Sequence, residues 1–412
     1  MKGKGELDAR LLILVTLALV AFGLVMVYSA TSASAAIAGH DPSYYLKRQG
    51  AYALVGLALM VIASRVSFRR LRKLAPVLVA TSLVLCLAVL VLGSSINGAR
   101  RWLAVGPVAF QPSELAKLAL AVWAGIYLAR RGAPKTLREL ARPVGILAGL
   151  FCILLLAEPD LGTAIALLLM LGAMLAVAGT PLKTLGLAGA GVTLVTLVAV
   201  WFEPYRRARI FSFLHPWADA QGAGYQTVQA MIGLASGGFF GVGLGHGTQK
   251  ISYLPEAHTD MIFAVIGEEL GLIGVSAVIA AFAVFAYAGL RVALRSRDPF
   301  GKMLAVGLVT LVCAQAAVNL AAVLGLAPLT GIPLPFVSYG GSNLVITLTA
   351  VGILLNIALD RGGEQEARVR DRGRRNSRPR PAVAGGRRSP AQPRRAGELR
   401  RAAGSRRGVA GA

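Results

Sequence analysis

The chain has 412 residues, 56% of them hydrophobic, with a formal net charge of +24 and a mean hydropathy of +0.65. A soluble enzyme of this length would carry far more polar surface, so the composition excludes one and indicates a polytopic membrane protein with basic cytoplasmic segments. The three cysteines, Cys86, Cys152 and Cys313, stand far apart inside apolar runs, which gives neither a disulfide pattern nor metal-ligand spacing and suggests no redox chemistry.

A short N-terminal segment, 1–10, carries Lys2, Lys4 and Arg10 and precedes the first apolar run, Leu11 to Ala30. That run is as long as a bilayer-spanning helix requires and too long for a signal-peptide core, so it reads as a retained span. Further runs at 50–64, 74–93, 113–129, 143–158, 161–179, 183–202, 260–290, 303–327 and 341–359 predict an all-α membrane domain, 11–359, of ten transmembrane helices. Basic clusters follow the second span (Arg65, Arg69, Arg70, Arg72, Lys73) and the fourth (Arg130, Arg131, Lys135, Arg138, Arg142). Lys183 precedes the seventh, and Arg291, Arg295, Arg297 and Lys302 lie between the eighth and ninth. Cytoplasmic loops hold the excess of Lys and Arg, which places both termini in the cytoplasm.

The outer loops are richer in chemistry. The first, 32–49, contains His40, Asp41, Lys47 and Arg48. The second, 94–112, contains Arg100, Arg101 and Trp102 and runs into QPSELAK, where Pro112 and Ser113 fit a helix start with Ser113 as N-cap. Glu114 and Lys117 are then i,i+3 neighbours just inside the membrane, either neutralising each other or serving a site. Glu158, Pro159, Asp160, Leu161 and Gly162 form the turn between the fifth and sixth spans; the turn needs the Pro and Gly but not the two acids.

The extracytoplasmic loop between helices seven and eight, 203–259, is much the longest, and loops of that length usually carry function. Its GVGLGHG run has the glycines of a dinucleotide fingerprint without the strand–turn–helix context, and reads as flexible backbone against membrane or substrate. Tyr225, Phe239 and Phe240 suit an interfacial position. At its end, Gln249 to Gly271 sets Glu256, His258 and Asp260 before an apolar run and places Glu268 and Glu269 within it. Ionisable residues at that depth point to function; the structural alternatives are that Asp260 complements a helix starting near Thr259 and that the glutamates pair inside a bundle. The last outer loop, 326–342, has three prolines and paired glycines, and such non-helical backbone at membrane depth is expected to wall a site. The tail, 360–412, holds sixteen arginines, no lysine and five acidic residues. It is expected to be disordered and to lie against anionic lipid rather than bind nucleic acid.

FQPSELAKL (Phe110 to Leu118), EPDLGTA (Glu158 to Ala164), YLPEAHTDMIFAVIGEELG (Tyr253 to Gly271) and PLPFVSYGGSNL (Pro333 to Leu344) resemble, in order, the signatures of the SEDS family of shape, elongation, division and sporulation proteins. The resemblance spans about 10–360, and KRQ (Lys47 to Gln49), NGARRWL (Asn97 to Leu103) and IGEELG (Ile266 to Gly271) look more like the division branch than the elongation branch. It implies a peptidoglycan glycosyltransferase of the bacterial cytoplasmic membrane, at the division septum, that polymerises lipid II on the outer face. It further implies a class B penicillin-binding protein as transpeptidase partner, alongside other division proteins. Asp260 matches the family's essential aspartate, and Lys47, Arg48, Glu114, Lys117, Asp160 and Ser338 match positions around its cavity.

The chemistry has two needs: a base for the acceptor hydroxyl that attacks the donor's anomeric carbon, and cations for the departing undecaprenyl pyrophosphate. Asp260 suits the first need, with Glu256 and His258 beside it as substrate-binding groups. Lys47, Arg48, Lys117 and one or more of Arg206, Arg207 and Arg209 suit the second. A single displacement inverts the anomeric centre, and a second catalytic carboxylate is not required. A divalent cation, Mg or Mn, with Glu114 or Asp160 as oxygen ligands is an open alternative, although no dedicated metal motif is present. Two other functional classes remain: a lipid II flippase with a path past Glu114, Lys117, Glu268 and Glu269, and a non-catalytic scaffold for the transpeptidase, which would not need Asp260.

Overall fold

The computed structural model describes residues 2–96, 99–106, 108–202, 204–222, 224–251 and 253–360; the arginine-rich tail beyond Asp360, and with it the expectation of disorder, lies outside them. The apolar runs coincide with helices: α1 (Lys2–Ile37), α2 (Tyr44–Arg65), α3 (Leu71–Leu92), α4 (Pro112–Arg131), α5 (Leu137–Leu140) leading into α6 (Ile146–Ala157), α7 (Leu161–Ala178) and α8 (Leu182–Trp201). After the long loop, which holds α9 (Pro204–Leu214) and α10 (Tyr225–Gly237), come α11 (Ile262–Arg295), α12 (Pro299–Val323) and α13 (Gly341–Ala358). Among the described residues eight helices are long and apolar enough to cross a membrane; α4, with its buried charges, and α8, apolar over Leu182–Val198, are the other long ones.

Burial orders the bundle. In their most apolar stretches 67% of α12 and 72% of α13 is buried, against 22% for α2 and α3, so α12 and α13 form the centre and α2 and α3 face outward. Small residues let the backbones approach, as membrane helices require where water supplies no driving force. Gly352 of α13 is an example, because a Cβ there would meet the Met60 carbonyl oxygen of α2 at 2.3 Å. At the basic end of the bundle, Asp298 caps α12 by accepting from the Phe300 amide at 2.9 Å and pairs with Arg69 and Arg72, while Arg69 also pairs with Asp360 at 2.7 Å. Arg291 and Arg295 of α11 close on the buried Asp8 of α1.

Several expectations need correction. The second outer loop adds a small antiparallel sheet to the all-α plan: β1 (Ser94–Ile96), β2 (Ala99–Val105) and β3 (Val108–Phe110), in that order, with Ser94 opposite Trp102 and Leu103 opposite Phe110. Its β-favouring Trp, Leu, Val and Phe flank a turn at Gly106. Ser113 is not the cap of α4. Pro112 takes the first helical position, where its missing N–H costs nothing, so the cap falls on Gln111. Likewise α11 starts at Ile262 rather than near Thr259, which leaves Asp260 in the segment just before the helix.

The glycine-rich run 238–247 is a strap rather than flexible backbone. Helix α11 breaks at Gly271 (φ 62°, ψ −158°), and the carbonyls of Glu268 and Glu269, one turn before the break, accept from the amides of Val242 and Gly243 at 3.0 Å each. Only glycine fits the break: the backbone is left-handed there, and a Cβ would lie 2.4 Å from the Gly241 nitrogen.

Candidate active site

At the end opposite the basic clusters, five segments converge: the start of α2, the β1–β3 sheet, the 158–160 turn, the 253–261 segment, and the non-helical loop between α12 and α13. Asp260 is half-buried among them. The Asn319 side-chain amide on α12 donates both to the Asp260 carbonyl at 2.7 Å and to the Ile332 carbonyl at 2.8 Å, tying the aspartate's backbone to the last outer loop. The Thr259 hydroxyl donates to Asp260 Oδ1 at 3.2 Å. Burial pushes the Asp260 carboxyl up to about 6, against the Thr259 hydroxyl and the nearby Arg209, with the Glu256 charge adding to the rise.

Around it stand a cation and two acids. Half-buried Arg101 of β2 donates through Nε to the Glu158 carbonyl at 3.0 Å and through Nη2 to the Pro159 carbonyl, holding the turn. Burial, reinforced by neighbouring Asp160, pushes the Glu158 carboxyl up to about 8, although the Cys86 thiol and Arg101 pull the other way. Asp160 caps α7, accepting from the Thr163 amide at 3.1 Å, and accepts from Gln111 Nε2 at 3.2 Å and the Ser113 hydroxyl at 3.4 Å. One helical step further in, Lys117 pairs with Glu114 at 2.7 Å, both almost fully buried, and Asn343 Nδ2 of α13 donates to Glu114 at 3.1 Å.

The remaining expected residues divide. His258 packs its ring against Tyr45 (4.5 Å between centroids) and Tyr339 (5.5 Å), its carbonyl accepts from the Tyr339 amide at 2.9 Å, and burial lowers its imidazole below the usual range despite Glu256. Glu256 is exposed, in left-handed backbone (φ 54°), and accepts from the Thr259 hydroxyl at 3.1 Å. Arg48 donates to the Tyr44 hydroxyl at 2.8 Å, beside that aromatic group. Lys47 is exposed and pairs with Asp41 at 2.8 Å, which holds the Asp41 carboxyl well below the usual carboxylate range. Ser338 is buried in its own loop: its Oγ accepts from the Leu334 amide at 2.8 Å and its carbonyl accepts from Gln49 Nε2 at 3.0 Å. Arg209 donates to the Leu329 carbonyl at 3.0 Å, Arg207 is exposed, and the Arg206 side chain lies outside the described residues.

Glu268 and Glu269 serve the strap. Glu268 Oε1 accepts from the Thr248 amide (2.8 Å) and hydroxyl (3.1 Å) and the Gln249 amide (3.2 Å). Glu269 is fully buried with Lys250 Nζ at 2.5 Å and the Ser29 hydroxyl of α1 at 2.7 Å. Among the described residues no three His, Cys, Asp or Glu side chains group as metal ligands, and the two oxygen donors considered for a cation, Glu114 and Asp160, are engaged by protein partners. The described residues do not fit a dedicated metal centre. Sequence reading missed Arg101 as a site residue, and also Gln111, Asn319 and Asn343; the last two are amides within apolar helices, a signal that was available.

Fold and site define a polytopic helical membrane protein whose reactive groups gather at one end around a half-buried aspartate. The family model described as "Cell cycle protein", covering FtsW, RodA and SpoVE, matches residues 9–362, and the chain belongs to that family, the SEDS proteins. A Geobacter metallireducens protein named "Probable peptidoglycan glycosyltransferase FtsW" is 43% identical over 84% of this chain and 93% of its own length. A solved chain described under "Structural coordination of polymerization and crosslinking by a peptidoglycan synthase complex" superposes with a TM-score of 0.71 at 32% identity, covering 85% of this chain and 97% of that one. The Thermus thermophilus rod-shape-determining protein RodA gives a TM-score of 0.63 at 31% identity, over 85% and 96%.

Proposed function

We infer that the chain is a peptidoglycan glycosyltransferase that polymerises lipid II on the outer face of the bacterial cytoplasmic membrane, in septal wall synthesis. The observation that carries this reading is the Asp260 carboxylate: its backbone is fixed by Asn319, its acidity is weakened to about 6, and arginines stand close by. A carboxyl of that strength is largely ionised at neutral pH yet more basic than a solvated aspartate, as a general base requires. Asp260 takes the proton from the acceptor hydroxyl as its oxygen bonds to the donor's anomeric carbon. The bond from that carbon to the pyrophosphate oxygen breaks with its electron pair on the leaving group, and the centre inverts. Lys117, buried one helical step inward, and the rim arginines supply positive potential for the pyrophosphate in a site of low dielectric.

The reading includes ten membrane spans with both termini in the cytoplasm; the eight long apolar helices, with α4 and α8 added, and the basic clusters at one end support it. A class B penicillin-binding protein is the partner this reading calls for, and the synthase-complex likeness supports it. A flippase path is not favoured: Glu268 and Glu269 hold the strap, and Glu114 is paired with Lys117. The test is purified chain with its transpeptidase partner, given lipid II in detergent and read as a glycan ladder on a gel. No ladder under any pairing would refute the reading.

A further inference from the structure

Helices α1 and α2 follow each other in sequence, yet each turns one face to a different neighbour. Helix α1 sends Ser29 to Glu269 of α11. Helix α2 turns Gln49, Tyr52 and Met60 to α13 and its loop: Gln49 donates to the Ser338 carbonyl, and Cβ atoms at Gly341 and Gly352 would meet Tyr52 and Met60. Between α1 and α2 lies a groove of about 660 Å³, lined by Leu17, Ala21 and Leu24 of α1 and by Gly50, Leu54 and Leu57 of α2, with Lys47 at the end that carries the reactive groups. The α2 positions recur at helical spacing on the side away from α13. From Lys47 to Leu57 the helix rises ~15 Å, half of a ~30 Å hydrocarbon core, so the groove is as long as the chains of one leaflet. Gly50 keeps it open, because a Cβ there would meet nothing within 4 Å.

A cation and an anion stand side by side over this apolar space. Lys47 Nζ lies 2.8 Å from Asp41 Oδ2, and Asp41 is set in place by the Ser43 amide at 2.9 Å and hydroxyl at 2.6 Å. Both side chains are largely exposed, and an exposed ion pair is weak enough for each charge to take a new partner. We propose that the groove binds one chain of an aminophospholipid of the bilayer, whose phosphate meets Lys47 and whose primary ammonium donates to Asp41. A choline head has no N–H to give to the carboxylate, and a glycerol head brings no positive charge to it. The site needs no turnover, so it stands or falls separately from the polymerase reading.

The experiment uses the full chain purified in detergent, with phosphatidylethanolamine, phosphatidylglycerol and phosphatidylcholine of identical chains as probes. Retained lipid is read by native mass spectrometry and stabilisation as a shift in melting temperature. The wild type should retain phosphatidylethanolamine in preference to the other two. Gly50→Leu adds a good helix former that fills the groove, and should weaken retention at least about tenfold, the scale of two methylene groups kept out of an apolar site. Gly189→Leu is the matched control and should bind like the wild type, since Gly189 is exposed on α8 and its Cβ position also has nothing within 4 Å. Asp41→Asn leaves the Lys47 cation alone at the rim and should turn the preference to phosphatidylglycerol. Gly50→Leu that retains phosphatidylethanolamine like the wild type would overturn the site, and so would equal retention of all three lipids by the wild type. Undecaprenyl phosphate is a fourth probe: if it displaces phosphatidylethanolamine from the wild type and loses its own binding in Gly50→Leu, the groove holds a polyprenyl chain and the proposal fails. If Gly50→Leu does not fold, Ala21→Phe blocks the groove from the α1 wall and decides in the same way.

Discussion

Lys250→Met is the sharpest perturbation of the strap that leads into the catalytic segment. It deletes an ammonium lying 2.5 Å from Glu269 and 3.0 Å from the Ser29 hydroxyl, with the lysine side chain 1% exposed and the glutamate 0%. What remains is a buried carboxylate served only by Ser29. Breaking one side of such a pair costs ~3–5 kcal/mol, because the surviving charge stays desolvated. Replacing every partner removes that penalty, so Ser29→Ala/Lys250→Met/Glu269→Leu should return to within ~1 kcal/mol of wild type, as apolar substitutes for buried ion pairs commonly do. Against a total stability of ~5–15 kcal/mol the single variant forfeits a large share. The assay is denaturant unfolding of the purified protein in detergent, with lipid II polymerisation measured in parallel. Lys250 lies ten residues before Asp260, so the single variant should also lose activity and the triple should recover most of it. A single variant as stable as wild type, or a triple no better than the single, would refute the account of the clasp.

Lys117→Met should reduce both stability and polymerisation, since it strands buried Glu114 beside Asn343; adding Glu114→Gln should restore folding in a melting assay but leave polymerisation at least tenfold down. Restored activity in the double variant would reduce the pair to packing. Glu158→Gln should keep near wild-type activity at pH 7, because a carboxyl with its acidity moved from 4.5 to about 8 is already neutral there. The raised value also means that the folded state holds the proton more tightly, so wild type should lose stability as pH rises from about 4.5 to about 8, by at most ~1.4 kcal/mol per pH unit. Glu158→Gln should lack that slope in melts across the range. For Asp260, raised from 3.8 to about 6, the polymerisation rate should climb about tenfold per unit below pH 6 and level above it. Its stability contribution runs the opposite way, falling between pH 3.8 and about 6. A pH–rate profile with its midpoint near 4 would contradict the burial argument.

The helices were legible because a run of about 20 apolar residues has few alternatives in a membrane. What sequence could not supply were partners distant along the chain. Glu268 and Glu269 stood out as ionisable groups within an apolar run, but Ser29 is 240 positions from Glu269, and only the folded strap brings Lys250 to it. Asn319 was read simply as part of a helix, yet its amide fixes both Asp260 and the loop that carries Gly331. The hairpin of the second outer loop has its signal in Trp102, Leu103 and the Gly106 turn, but its strands are short and interrupted by Arg100 and Arg101, which weakens the pattern. Ser113 was misassigned because Pro112 fits either the residue before a cap or the first helical position, and the surrounding contacts choose the latter. Lys47 and Ser338 carried the family pattern, but their contacts are to Asp41 and to the backbone of the serine's own loop.

The central claim is that Asp260 is the base of a lipid II polymerase, and the measurement that bears on it most directly is the glycan-forming rate of purified Asp260→Asn in complex with its transpeptidase. The amide is nearly isosteric and leaves the Asn319 contact to the backbone carbonyl intact, so folding and partner binding should match wild type. The rate should fall ~100- to 10,000-fold, the usual loss when a positioned general base is removed. Glycan strands made by a folded, partner-bound Asp260→Asn protein at near wild-type rate would contradict the assignment.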